Sequence, residues 1–261
     1  MTQVMLPPLE SPLDIIAVLA LPKLKDRNTL VYYWLNTTKV VDMKENVQVE
    51  GRISDITEES TVIVPTMHHV GIVTRNIETM IEWYAKVLGM KPNFVSLSPS
   101  NKAMLPLKVA LLTNDKANHR IALLSWLGLN DSTEKHRTAR VHHFAFECKT
   151  IGDLLNSYIR LKDLKIVPII VVDHGVTTTF YYHDPDKNTV ELFVDNFGNW
   201  DRSSRYLREM RTDEYLAKPV DPEKIIVAHN SGMTDSEIFQ RLSSGEFAPS
   251  ESVDMRILTS M

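Results

Sequence analysis

Four of the nine histidines in this 261-residue chain stand in two adjacent pairs, His68-His69 and His142-His143. Each pair opens an apolar segment, residues 67–74 (MHHVGIVT) and 141–148 (VHHFAFEC). Successive side chains of a strand point to opposite faces, so one histidine of each pair is expected to face inward. His69 shares its face with Gly71 and His143 with Ala145, small residues that leave room for a ligand. His69 and His143 are therefore the expected inward pair, with His68 and His142 outward. A lone strand histidine is usually a hydrogen-bonded structural side chain. Two at matched positions can bring two imidazoles to one point, and imidazole is a common ligand of divalent metals.

A third donor is expected on a facing strand. Glu191 sits inside the apolar run 189–193 (TVELF), where a carboxylate is costly unless paired or metal-bound. Two histidines and one carboxylate with open positions form the facial triad of non-haem Fe(II) enzymes. The expected metal ligands are thus His69, His143 and Glu191. The expected cofactor is Fe(II), with Mn(II), Zn(II) or another divalent metal as the alternative. A fourth protein ligand would instead favour a closed or water-only Lewis-acid site. The single Cys148 excludes a disulfide framework and any cysteine-rich zinc site.

The surrounding elements repeat. After the first histidine pair, Asn76 stands where a helix N-cap should be and Glu78 lies in the first turn. Ile77, Met80, Ile81, Tyr84, Val87 and Leu88 fall at helical spacing, and Gly89 follows as a stop signal. Three apolar segments come next, at 93–97, 107–112 and 120–126. After the second pair, Ile151, Leu154, Leu155, Tyr158 and Leu161 mark a helical face. Strand-like runs at 166–172, 178–182 and 189–194 follow, the last two separated by the turn residues 184–188 (DPDKN). An offset of 74 carries His68 to His142, His69 to His143, Ile77 to Ile151, Ile81 to Leu155 and Tyr84 to Tyr158. A fixed offset means a repeated structural unit. The expected fold class is α+β, two tandem βαβββ modules with helical or irregular extensions. The expected boundaries are an N-terminal extension 1–63, modules 64–135 and 136–198, and a wrapping segment 199–261. Within the last, 201–215 and 235–242 read as helices and 243–261 as a polar tail. Matching residues 119–124 to 188–193 places Ala122 opposite Glu191, so only the second module offers a carboxylate.

The doubled pattern, with MHHVGIVTRNIETMIEWYAKVLGM and VHHFAFECKTIGDLL, resembles the vicinal oxygen chelate superfamily of glyoxalases, bleomycin-resistance proteins and type I extradiol dioxygenases. Residues 174–191 (HGVTTTFYYHDPDKNTVE) resemble the extradiol ring-cleavage motif, with Tyr181 ten residues before Glu191. The resemblance covers roughly residues 66–198 and is closest to compact dioxygenases with one module pair. It implies that His69, His143 and Glu191 hold Fe(II), that the partners are an aromatic diol and O₂, and that catalysis uses His174 for proton transfer and Tyr181 as a donor to a substrate oxygen. The interval from His174 to Tyr181 is shorter than in the two-domain enzymes. Their further acid–base histidine falls at Gly128 here, leaving His119 and His136 as the nearby histidines. That departure favours the alternative of a non-oxidative lyase, isomerase or cyclase on the same ligand set. A small-molecule binding protein on this fold is the alternative outside enzymes.

Composition sets outer bounds. Hydrophobic residues make up 43% and charged residues 24%, as in ordinary globular proteins. Twenty-nine basic against 33 acidic residues give a net charge of −4, which argues against nucleic-acid binding driven by phosphate attraction. No stretch approaches the ~18 apolar residues of a membrane span, and residues 1–20 lack a basic region ahead of an apolar run. A cytoplasmic protein without membrane partners is expected, with homo-oligomerisation possible.

Overall fold

The computed structural model describes residues 33–34, 37–38, 65–97, 107–130, 139–210 and 217–260. The chain divides into two units, Met1–Pro65 and Thr66–Met261. Of the first, the described residues other than Pro65 form two short strands, β1 (Tyr33–Trp34) paired antiparallel with β2 (Thr37–Thr38). The other expectations for residues 1–63 lie outside the described residues.

In the second unit the sequence repeat is a repeat of topology. The first module runs β3 (Val70–Val73), α1 (Ile77–Leu88), β4 (Lys91–Ser96), β5 (Lys108–Thr113) and β6 (Ile121–Ser125). The second runs β7 (His143–Glu147), α2 (Ile151–Asp163), β8 (Ile170–Asp173), β9 (Thr177–His183) and β10 (Thr189–Asp195). Their sheets have the orders β3-β6-β5-β4 and β7-β10-β9-β8, so in each the first strand lies parallel to the last. A short β11 (Lys218–Pro219) extends the second sheet at β8. The architecture is α+β, two βαβββ modules, as the periodicity predicts.

The helices form for local reasons. Ile77, Met80, Trp83, Tyr84 and Val87 are the buried residues of α1, at the spacing that gathers one face. Gly89 ends it in the left-handed region, φ 63°, with its N–H donating to Ala85 O. At the other end the Asn76 side chain caps nothing. Its backbone N–H donates instead to Thr74 Oγ1 at 3.0 Å. In α2, Ile151, Leu154, Leu155, Tyr158 and Leu161 are buried, and the Thr150 hydroxyl accepts from Asp153 N–H.

The core lies between these helices and one face of each sheet. It joins Met80, Tyr84 and Leu123 of the first module to Leu155, Phe180 and Val190 of the second. Polar contacts cross between the modules as well. Arg160 Nη1 donates to Lys86 O at 2.6 Å, and Tyr84 OH donates to Asp184 Oδ2 at 3.2 Å. Asp184 also accepts from the backbone N–H groups of Asp186 and Asn188, which fixes the 184–188 turn.

After the modules come α3 (Trp200–Glu209), α4 (Pro222–Asn230), α5 (Asp235–Ser244) and α6 (Ile257–Ser260). Ile225, Ile238, Leu242 and Phe247 enter the same core. The tail is not merely polar: Met255, Ile257 and Leu258 pack against Ile170, Val172 and Tyr181. Trp126 and Trp200 are exposed. Among the described residues, no helix is long and apolar enough to cross a membrane.

Candidate active site

Strand alternation sorts the second sheet into two faces. Phe180, Tyr182, Val190, Leu192 and Val194 face the helices and the core. The opposite face carries Tyr181, Glu191 and His143. Across it, Ile170, Tyr181, Glu191 and Ala145 are register partners on four neighbouring strands. His143 opposes Thr189 and His183 in the next row. In the first sheet the equivalent register is Gly71 against Ala122. Ala122 thus occupies the position that Glu191 fills in the second module.

Four of the five residues singled out in the sequence converge on this face. His143 Nε2 stands 2.9 Å from Glu191 Oε2. The Tyr181 ring meets the His143 ring edge-on, with centroids 5.6 Å apart. Tyr181 OH is 3.2 Å from His174 Nε2. His174 precedes a turn held by several bonds: Gly175, at φ 80°, donates its N–H to Asp173 Oδ1, and Asn196 Nδ2 donates to both Asp173 Oδ1 and Gly175 O. Burial holds the His174 imidazole below the ordinary histidine range, and nearby His143 acts the same way. The charges of Glu191 and Asp173 oppose the shift. The result is an imidazole biased toward its neutral, proton-accepting form beside a phenol.

Thr179 escaped the sequence reading, and His142 entered it only as the outward member of its pair. Thr179 donates to Glu191 Oε1 at 3.0 Å. The signal available was the alternation Thr177, Thr179, Tyr181 on the strand facing Glu191. His142 Nε2 lies 2.8 Å from the Leu258 carbonyl, and its Nδ1 lies 2.8 Å from His143 Nδ1.

His69 lies in a different group. Its ring is 4.3 Å from that of His119, and its Nδ1 is 3.1 Å from His68 Nδ1. The candidate ligand atoms of His68, His69 and His119 all lie within 4.8 Å of one another, the one such group of three among the described residues. His68 therefore does not point away from His69, because β3 begins at Val70 and strand alternation does not govern the residues before it. The first unit of donors is thus three imidazoles at the head of the first sheet. The second is an imidazole and a buried carboxylate on the second sheet. His136 lies outside the described residues. Gly128, in a turn at φ 90°, has nothing within 4 Å of the position a side chain would take.

The donor chemistry fits a divalent transition metal. Glu191 is buried, and among the described residues its oxygens face one imidazole nitrogen and one hydroxyl. Nitrogen and carboxylate oxygen suit Fe, Mn or Zn, and His143 and Glu191 turn those atoms toward each other. A separate cavity of about 470 Å³, bordered by Lys149, Phe197, Arg202, Tyr206 and Phe239, touches none of the expected site residues.

Comparison with known proteins places the chain. Residues 66–192 match the Glyoxalase/Bleomycin resistance protein/Dioxygenase superfamily. The chain is 34% identical over 180 residues to biphenyl-2,3-diol 1,2-dioxygenase 3 of Rhodococcus globerulus, covering 69% of this chain and 90% of that protein. The chain belongs to this superfamily. It is also 34% identical over 202 residues to biphenyl-2,3-diol 1,2-dioxygenase 2 of the same organism, over 75% of this chain and 98% of that protein. Among solved structures, a glyoxylase/bleomycin resistance protein/dioxygenase domain from Frankia sp. EAN1pec aligns with TM-score 0.43 and 15% identity, over 51% of this chain and 93% of that one. Both curated relatives are dioxygenases, and the matched regions span nearly their whole length.

Proposed function

We infer that the chain is an extradiol-type dioxygenase that cleaves a catechol-like aromatic diol with O₂. The observation that carries this reading is the convergence of His143, Glu191, Tyr181 and His174 on one sheet face, in a chain whose relatives are biphenyl-2,3-diol dioxygenases. His143 and Glu191 would hold Fe(II), with Mn(II) or Zn(II) as the alternative ion. His69, the repeat partner of His143, would be the third ligand in this reading, although its ring groups with those of His68 and His119. A divalent metal held by these residues would supply Lewis acidity that lowers the pKa of the diol hydroxyls, and would gather diol and O₂ at one site.

The chain's own residues supply the rest. The neutral His174 imidazole can accept a proton, and the Tyr181 hydroxyl beside it can donate to a substrate oxygen. Thr179 fixes one oxygen of Glu191, leaving Oε2 on the His143 side. The test is anaerobic loading with Fe(II), then 2,3-dihydroxybiphenyl or catechol in air-saturated buffer. O₂ uptake with a yellow ring-fission product is expected. No uptake across a panel of diols would refute the reading. Metal content in His69→Ala, His143→Ala and Glu191→Gln tests the ligand set, and each is expected to lose metal.

A further inference from the structure

The parallel pairing of β3 with β6 sets the histidines at its head side by side. Val70 is the register partner of Ile121, and Val70 N–H donates to Arg120 O at 3.0 Å. His68 and His69 therefore stand beside His119, each group one or two residues ahead of its strand. Arg120 ties the two segments together: Nη1 donates to His68 O at 2.9 Å, while Nε and Nη2 donate to Asp115 Oδ2. Asn93 Nδ2 donates to Asn118 O at 2.9 Å and holds the same loop from β4. The backbone here is thus fixed by groups other than the three imidazoles.

The rings themselves meet at the spacing of a ligand set. His68 Nδ1 stands 3.1 Å from His69 Nδ1. Two nitrogens bound to one metal at about 2.1 Å lie roughly 3.0–3.4 Å apart. His119 lies against both rings, its centroid 4.3 Å from that of His69 and 5.2 Å from that of His68. Its Nδ1 is buried without a hydrogen-bond partner among the described residues, a costly state for a polar nitrogen. One candidate nitrogen from each ring falls within 4.8 Å of the others, so small side-chain rotations bring all three to one ion. His68 and His69 are exposed, which gives the ion a path from solvent, and the group contains no carboxylate. Zn(II) accepts three histidines with water in the fourth position, whereas Mg(II), Ca(II) and Mn(II) favour oxygen donors.

We propose that His68, His69 and His119 form a second metal site that takes Zn(II), and that Zn(II) there withdraws His69 from the ring-cleavage metal. The site stands on its own geometry. The withdrawal rests on the ring-cleavage reading, in which His69 completes the set of His143 and Glu191. His69 serves one ion at a time, so the two sites exclude each other and excess Zn(II) acts as an inhibitor.

The site is tested by calorimetric titration of Zn(II) into the metal-free full chain carrying His143→Ala and Glu191→Gln. One bound Zn(II) is expected. Adding either His68→Ala or His119→Ala to that background is expected to abolish it, with folding checked by circular dichroism. One Zn(II) retained in both would overturn the site. The withdrawal is read separately, on the Fe(II)-loaded chain with 2,3-dihydroxybiphenyl. Added Zn(II) is expected to suppress O₂ uptake in the unaltered chain, and His68→Ala and His119→Ala are expected to escape at the same Zn(II) concentration. Equal suppression in all three would overturn the withdrawal, since Zn(II) would then be displacing iron at His143 and Glu191. An unaltered chain that Zn(II) leaves fully active would overturn it as well. Zn(II) binding that follows His68 and His119, in a chain that takes up no O₂ with any diol, would uphold the site and refute ring cleavage.

Discussion

Thr179 holds one oxygen of Glu191: its hydroxyl donates to Oε1 at 3.0 Å while Oε2 faces His143. Thr177 Oγ1 lies 3.2 Å from the same hydroxyl oxygen. The carboxylate is the stronger acceptor, so Thr179 gives its proton to Glu191 and accepts from Thr177. Outer partners of this kind orient a metal-binding carboxylate, and their loss typically costs about 10–100-fold in metal affinity. Thr179→Val is expected to weaken Fe(II) or Zn(II) binding by that factor in a chelator competition. Thr179→Ser should restore it. Wild-type affinity in the valine variant would show that Glu191 needs no such partner.

The Tyr181–His174 contact yields a prediction with a pH signature. A positioned acid–base group typically contributes about 10²–10⁴-fold to rate. His174→Gln should lower kcat for diol cleavage within that range, and Tyr181→Phe by less, measured as O₂ uptake. Burial depresses the His174 pKa below 6.5, so its neutral form persists until the pH falls below that value. kcat/KM should therefore decline on the acid side below 6.5, and that limb should vanish in His174→Gln. An acid limb that stays in the glutamine variant would assign it to another group.

Much of this arrangement was legible because it depends on period. The apolar faces of α1 and α2 follow the spacing of three and four, and the 74-residue offset maps Gly71 onto Ala145 in equivalent registers. The matched pair Ala122 and Glu191 follows from the same alignment. What periodicity cannot reach is a contact outside regular structure. His68 and His69 precede β3, so alternation says nothing of their turn toward His119. The docking of Met255, Ile257 and Leu258 involves three apolar residues in a polar stretch with no helical or strand repeat. Thr179 meets Glu191 diagonally, since its register partner on β10 is Phe193. That depends on the β9–β10 pairing rather than on either strand alone.

Cys148 tests whether any metal here is held without sulfur. Burial, aided by the nearby Asp153 and Glu147 charges, pushes its thiol pKa up to about 11. The thiolate is the reactive and metal-binding form, so it is scarce at neutral pH. Iodoacetamide should label Cys148 slowly in the native protein and quickly in urea, and Cys148→Ala should keep the wild-type metal content. A loss of metal in that variant would place sulfur in the ligand set.

Two buried tyrosines should respond to loss of the hydroxyl with opposite signs. Tyr84 OH donates to Asp184 Oδ2 at 3.2 Å, in the turn that leads to β10. Tyr182, on the core side of β9, is equally buried, but its hydroxyl has no hydrogen-bond partner among the described residues. Removing a hydroxyl bonded to a carboxylate leaves a buried acceptor short, and Tyr84→Phe should cost about 2 kcal/mol. Asp184 still accepts from the Asp186 and Asn188 N–H groups, which keeps the loss from being larger. Removing an unsatisfied hydroxyl relieves a desolvation penalty with little change in shape, so Tyr182→Phe should gain about 1 kcal/mol. Urea unfolding with matched slopes would measure both. A destabilised Tyr182→Phe would mean that its hydroxyl finds a partner after all, and the absence of loss in Tyr84→Phe would mean that the Asp184 turn is held by its backbone bonds alone.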